Sequence, residues 1–383
     1  MADRPPIAER CAAAFQERYG RQPEMMSWAP GRINLLGGHT DYNGGLALPA
    51  AINRWVCVAL SPRQDDQVTI RSIDFNSEYT GQVSALPTPS SSWQRFVVGI
   101  LDIFSLTEAL PSGFDAVFTG DVPDGAGLSS SAALTVSWMA GLRAWSGAEI
   151  ADIELAKMAQ SVEHTYLNVQ CGLLDQVASL MGQRDHVMRV DFKDLTVEQV
   201  PAQLQDVEWV VLHSGVRREL ASSGYWLRVQ ECASGLEAIR QEHPEVSHFR
   251  DIQLDWLGDT HAYEHRLRHV LTENARVDAA VELVTRGDSE ALGRLLFEAH
   301  QSLRDDYQVS CTELDGLVDI ASEDLQCLGA RMVGGGFGGC TLNVVRAGEA
   351  QGFMDRVMGT YRQRFDPSPR GYCFELVGGA GLG

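Results

Sequence analysis

Three glycine-rich segments interrupt this chain, each lying between apolar runs. They are Pro30-Gly-Arg-Ile-Asn-Leu-Leu-Gly-Gly-His-Thr-Asp-Tyr-Asn-Gly-Gly45, Pro123-Asp-Gly-Ala-Gly-Leu-Ser-Ser-Ser-Ala-Ala133 and Val333-Gly-Gly-Gly-Phe-Gly-Gly-Cys340. Glycine at this density weakens helices and strands, so each segment marks a sharp turn or a close backbone approach. The fold has to be built around these three places.

The middle segment runs directly into an Ala-rich amphipathic stretch. A Gly/Ser loop at a helix start points unpaired amides toward the positive end of the helix dipole, which suits an anion such as phosphate. A capped helix after a plain turn is the alternative. In the last segment Gly334, Gly336 and Gly339 match G-x-G-x-x-G, but the dinucleotide motif needs a helix after it, and here a strand, Thr341–Arg346, follows. That reading is rejected. The first segment gathers Arg32, His39, Asp41 and Tyr42 among glycines, a pattern that suits a small polar ligand or an ordinary strand-turn-strand.

Composition removes several classes. The net charge of −20 over 383 residues argues against bulk binding of nucleic acid or an anionic membrane. Lys157 and Lys193 are the only lysines and neither follows a glycine, so neither a Walker A loop nor a protein-kinase V-A-I-K strand is present. The eight cysteines form no C-x-x-C pair and read as free thiols of a reducing compartment. The N-terminus lacks the apolar run of a signal peptide, and no stretch reaches about 18 apolar residues. A soluble cytoplasmic protein is expected.

Patterning gives a helix over 8–20 and strands at Val56–Leu60, Val68–Phe75 and Phe114–Thr119, with Leu86–Ser92 as a loop. Three helical stretches follow, marked by Leu134/Trp138/Leu142, Leu155/Met158/Val162 and Leu173/Val177/Leu180, then a strand at His186–Phe192. The second half opens on strand Val207–Leu212 and continues with helices near 224–242, 258–286, 288–304 and 312–325. It ends with strand Thr341–Arg346, helix Ala350–Phe365, a turn over Asp366–Arg370 and strand Tyr372–Val377. This mixed order implies an α+β chain of two two-layer halves, divided as 1–195 and 196–383.

Two acids lie in helical patterns. Asp175 sits among Leu and Val in Cys171–Met181, and burying a carboxylate there costs several kcal/mol unless it is partnered. Glu163 lies on the preceding helix, where a solvated face is the usual setting. His261, His265 and His269 recur at helical spacing with Arg266 and Arg268 interleaved, and read as a solvated stripe, not a metal site. Cys171 is taken as packing, since nothing electropositive accompanies it.

Together, the three segments and Gly172-Leu-Leu-Asp-Gln176 resemble the GHMP small-molecule kinases, and within them the galactokinase family. The matches span residues 29–341. The resemblance implies a two-domain GHMP kinase fold with an active cleft between the halves, and ATP-dependent phosphorylation of the C1 hydroxyl of galactose. It makes Arg32 and Asp175 catalytic, and Gly38, His39, Asp41, Gly172 and Tyr225 contacts of the sugar. Gly125, Ala126, Gly127, Leu128, Ser129, Ser130 and Ser131 become the ATP loop, Ser72 and Trp93 flank the adenine, and Ser131 and Glu163 hold Mg²⁺. A monomer binding only sugar and ATP is expected.

Two departures stand out. Gly38 occupies a position where the family signature, G-E-H-T-D-Y, carries a Glu at the C6 end of the sugar, and Trp226 stands where the family usually has Asn. The first keeps L-arabinose and galacturonate open as substrates. A non-catalytic sugar sensor is the rival from another class; intact Arg32, Asp175, Ser131 and Glu163 count against it.

Overall fold

The structure is a computed structural model that describes residues 4–108, 110, 112–123, 125–216, 221–258, 263–365 and 369–383, with backbone alone for 221–223. The first half runs α1 (Ile7–Tyr19), β1 (Met25–Asn34), β2 (Leu46–Ala47), β3 (Pro49–Pro62), β4 (Gln67–Ser72), β5 (Ser77–Gln82), α2 (Ser92–Ser105), β6 (Phe114–Gly120), α3 (Ser130–Ser146), α4 (Asp152–Tyr166), α5 (Leu174–Met181), β7 (His186–Asp191) and β8 (Thr196–Pro201). The second runs β9 (Val207–His213), α6 (Ala221–Glu242), α7 (Glu264–Arg286), α8 (Ser289–Asp305), α9 (Thr312–Ser322), β10 (Cys327–Val333), β11 (Cys340–Arg346), α10 (Ala350–Arg364), β12 (Arg370–Phe374) and β13 (Gly381–Leu382).

A six-stranded sheet in the order β13-β1-β3-β6-β4-β5 carries the first half. Helices α2 to α5 cover one face through a core that includes Phe104, Trp138 and Val177, and α1 covers the other around Phe15 and Trp28. The second half has a four-stranded sheet, β10-β11-β9-β12, and a small sheet, β2-β7-β8, joins the halves. A shared apolar cluster packs Ile33, Leu35 and Leu48 against Val277, Leu296 and Val344, so the halves meet on a continuous core. The chain end returns to the first sheet, where β13 pairs with β1.

Local chemistry explains most boundaries. Gly20 closes α1 in the left-handed region, and the Asp288 side chain caps α8 by accepting from the Ala291 amide at 3.0 Å. The strand expected over Val68–Phe75 stops at Ser72, because the chain turns at Asn76, whose amide donates to the Ile73 carbonyl. The last expected strand shifts to Arg370–Phe374, leaving Leu376 as an isolated bridge to Ile52. The expected helices over 258–286 and 312–325 are observed as Glu264–Arg286 and Thr312–Ser322. His261 and part of the expected turn over Asp366–Arg370 lie outside the described residues. The last glycine-rich segment connects β10 to β11 as an antiparallel hairpin, in keeping with the rejection of a dinucleotide motif. All eight cysteines are free, and among the described residues no helix is long and apolar enough to cross a membrane.

Candidate active site

A bulge in β1 aims the central cation. The β1–β3 register shifts between Pro30 and Arg32. There Gly31 lies so close to the Gly/Ser loop that a Cβ would stand 2.6 Å from the Leu128 carbonyl oxygen. The Arg32 amide donates to that same oxygen at 3.0 Å, locking the strand to the loop. The buried Arg32 side chain then reaches Asp175 on the first turn of α5: Nε donates to Oδ1 at 2.7 Å, and Nη2 is 2.5 Å from the same oxygen. Nη1 donates to the Gly127 carbonyl, and the second Asp175 oxygen accepts from Ser129 Oγ at 2.5 Å. Asp175 keeps about a quarter of its side chain open, 27%, so it is partnered yet reachable from the cavity.

That cavity, about 760 Å³, is lined by Arg32, Asp175, the Gly/Ser loop and the polar turn after β1. Part of its lining is aromatic. His39 Nδ1 lies 2.8 Å from Tyr42 Oη, which is 2.8 Å from Tyr307 Oη, and Tyr225 packs its ring against both His39 and Tyr42. Asp41 faces Gly172 so closely that a Cβ at 172 would sit 1.6 Å from its Oδ2; only glycine fits there. Burial, reinforced by the Asp175 charge, raises the Asp41 carboxyl to about 6.

On the loop side, Ser131 Oγ donates to Glu163 Oε2 at 3.1 Å, and Gln176 Nε2 donates to Oε1 at 2.8 Å. Glu163 is buried, unlike the solvated face usual for a helical Glu, and burial with the nearby Asp175 charge raises it to about 7. Among the described residues no three His, Cys, Asp or Glu side chains gather as a metal site. A hydroxyl and a carboxylate side by side do suit Mg²⁺ carried in on a nucleotide, which takes one or two protein oxygens and completes its shell with phosphate and water. A cation there would also relieve the buried carboxylate, so the residues present fit the ion.

The structure brings Gly38, His39, Asp41, Gly125, Gly127, Leu128, Ser129, Ser130, Ser131, Glu163, Gly172, Asp175 and Tyr225 to this cavity with Arg32. Ala126 is buried in the core beneath the loop. Ser72 and Trp93 are not brought to it. Ser72 is fully buried with Oγ accepting from the Phe75 amide, and Trp93 packs on Phe118 and donates to Ser77 Oγ.

Sequence reasoning missed Asn168, Val169, Gln170 and Arg331 on the lining, and left Trp226, a half-exposed residue of the rim, without a role. The first three form the polar turn between α4 and α5, a placement the nearby Asp175 motif could have suggested. Cys171 lines the cavity as well, and burial pushes its thiol up, away from reactivity. The histidine stripe also needs correcting. His265 is exposed, but His269 is fully buried, its Nε2 donating to the Gly38 carbonyl at 2.9 Å. Burial lowers His269 to about 4 and keeps it neutral.

Comparison with known proteins agrees on one relationship. Residues 13–62 match the pattern described as the galactokinase galactose-binding signature, 95–183 the GHMP kinases N-terminal domain, and 280–358 the GHMP kinases C-terminal domain. The chain is 38% identical over 369 residues to a galactokinase of Roseiflexus sp. (strain RS-1), covering 94% of this chain and 92% of the relative. It is 37% identical over 373 residues to a human galactokinase, covering 93% of each. Lactococcus lactis galactokinase, solved in complex with galactose, superposes with a TM-score of 0.89 at 29% identity, over 97% of this chain and 98% of that one. A mevalonate kinase at 17% identity shares the fold, with a TM-score of 0.66 over 92% of this chain and 99% of that one.

Proposed function

Because the chain belongs to the galactokinase family of the GHMP kinases, we propose that it transfers the γ-phosphoryl group of ATP to the C1 hydroxyl of galactose, giving galactose 1-phosphate and ADP. The observation that carries this reading is the Arg32–Asp175–Ser129 constellation at the mouth of the Gly/Ser loop. The anomeric hydroxyl is the most acidic on the sugar. Placed against Asp175, its proton passes to a carboxylate oxygen as O1 bonds to the γ-phosphorus, and the bond to the β–γ bridging oxygen breaks with its electrons leaving on ADP. Arg32 stands beside that oxygen, and its guanidinium opposes the negative charge of transfer.

Loop amides from Gly125 to Ser131, at the start of α3, cradle the phosphates. Mg²⁺, held by Ser131 and Glu163, supplies positive charge against the β- and γ-phosphates when bound. His39, Asp41, Gly172 and Tyr225 orient the sugar. We take 1–195 and 196–383 as the two domains, acting in a cytoplasmic monomer. L-Arabinose and galacturonate as alternative substrates, and a non-catalytic sensor, are not favoured, since the relatives over nearly the whole chain are galactokinases. A panel of free sugars read by ADP release tests the proposal. Galactose should be the fastest substrate, and no turnover of galactose would overturn it.

A further inference from the structure

Of the three glycine-rich segments, the hairpin between β10 and β11 has no part in the transfer of the phosphoryl group. Its Gly334 and Gly335 border the cavity, and its Phe337 packs against the second-half cluster around Cys232, Tyr307 and Val309. Phe337 stands in the left-handed region, with a φ of 56°, where a bulky side chain is costly, and glycines precede and follow it. A glycine would hold this turn without that cost, so the ring earns its place by what it touches. The backbone beneath it is fixed: the Phe337 amide donates to the Val309 carbonyl at 2.7 Å and the Gly339 amide to the Val216 carbonyl at 3.2 Å.

Besides that cluster, the ring meets the start of α6. A Cβ at Gly224 would stand 2.6 Å from Phe337 Cζ and 2.7 Å from Cε2, so the ring tip fills the place of a side chain on the first turn of the helix. The next residue, Tyr225, touches the same hairpin, its Cδ2 lying 3.5 Å from where a Cβ on Gly335 would be. The Tyr225 ring also meets His39 and Tyr42, with centroids 5.5 and 5.1 Å away. Further along α6, Arg228 Nη2 donates to the Gln308 carbonyl at 3.0 Å and Cys232 Sγ lies 3.1 Å from Tyr307 Oη. Those ties act one and two turns on. At the first turn it is the Phe337 ring that meets Gly224.

We propose that Phe337 is a positioning residue of the sugar site: its ring seats the first turn of α6 and so holds Tyr225 in the cavity lining beside His39 and Tyr42. This rests on the galactose reading above, with Tyr225 as a sugar contact. Phe337 is not among the residues that line the cavity, so its effect on the sugar passes through Tyr225.

The experiment measures the Kd for galactose by titration calorimetry on the full chain, with kcat and the KM for ATP read by ADP release. A misplaced Tyr225 forfeits a contact the size of a neutral hydrogen bond, so Phe337→Ala should weaken galactose about fivefold and leave the KM for ATP unchanged. Gly224→Ala is the second variant. Alanine is the better helix former, so this change favours α6 while its methyl meets the Phe337 ring, and galactose should weaken again. Tyr225→Ala should weaken galactose by itself, and adding either change to it should have no further effect, because residues that act through one contact are not additive. Galactose affinity at the native value in Gly224→Ala and in a folded Phe337→Ala overturns the assignment. So does a loss of the same factor with and without the Tyr225 side chain, which would make Phe337 general packing. If Phe337→Ala does not fold, Gly224→Ala with and without Tyr225→Ala decides in the same way. A native protein that binds galactose yet releases no ADP would overturn the transfer reading instead, and the comparison of Kd values would still test Phe337.

Discussion

Replacing Glu163 with Gln is the perturbation whose effect the structure sizes most directly. Glu163 is 5% exposed, and burial followed by the charge of Asp175 raises it from an ordinary 4.5 to about 7. That gap is worth about 3 kcal/mol between the protonated and ionised forms. A carboxylate raised in the folded state stabilises the fold below its unfolded pKa, and that contribution is lost as pH climbs through about 7. At pH 8 the ligand-free protein therefore carries Glu163 as a destabilising charge, and at pH 5 it does not. Gln has the shape of the protonated acid. Its carbonyl still accepts from Gln176, and its amide donates to a Ser131 hydroxyl that turns to accept. Taking an unfolding entropy of about 2.1 cal/mol/K per residue over the chain, Glu163→Gln should raise Tm by about 4 °C at pH 8 and change it little at pH 5. Thermal melts without nucleotide at the two pH values read this. Activity should move the other way, with more Mg²⁺ needed for half-maximal rate. An equal Tm offset at both pH values, with unchanged magnesium dependence, would refute the reasoning.

Other outcomes follow from the same geometry. Asp175→Asn and Arg32→Ala should each lower kcat at least ~10²-fold with the fold intact by circular dichroism; near-native turnover in Asp175→Asn would remove this acid from the chemistry. Gly172→Ala drives a methyl into Asp41 Oδ2, so the galactose KM should rise about tenfold or more with the KM for ATP steady, and an equal rise in both would count against a sugar contact at Asp41. With Asp41 raised to about 6 and needed ionised, kcat/KM for galactose at saturating MgATP should fall as pH drops through 6. Asp41→Asn should lose that limb of the profile, and its persistence in the variant would assign it elsewhere.

What the sequence disclosed and what it hid divide along physical lines. The loop-to-helix junction at Gly127–Ser131 and the Asp175 helix are local, so their residue types suffice to mark them. Strand β1 was hidden because Pro30 and Gly31 punctuate it and because nine of its ten residues are buried, erasing the alternation that marks a half-exposed strand. Strand β10 carries Arg331 in its interior, a residue that argues against a buried strand until Glu273 is known to lie beside it. The burial of Glu163 and His269 is likewise tertiary: each looks like a solvated helix position until a neighbouring element closes over it. Trp93 shows the converse, since a polar-tipped aromatic assigned to a ligand wall spends its N–H on Ser77 inside the core.

The proposed step moves a phosphoryl group from ATP onto the anomeric oxygen of galactose in this cavity, with Asp175 taking the proton. Phosphorus and proton NMR of a reaction containing the full chain, galactose, ATP and Mg²⁺ tests it most directly, because the spectra report both the product and the position of its phosphate. One ADP should form per galactose 1-phosphate, with the phosphate coupled to the anomeric proton, and Asp175→Asn should give no product. Phosphate on any other oxygen of the sugar, or both ligands bound with no ADP formed, would contradict it.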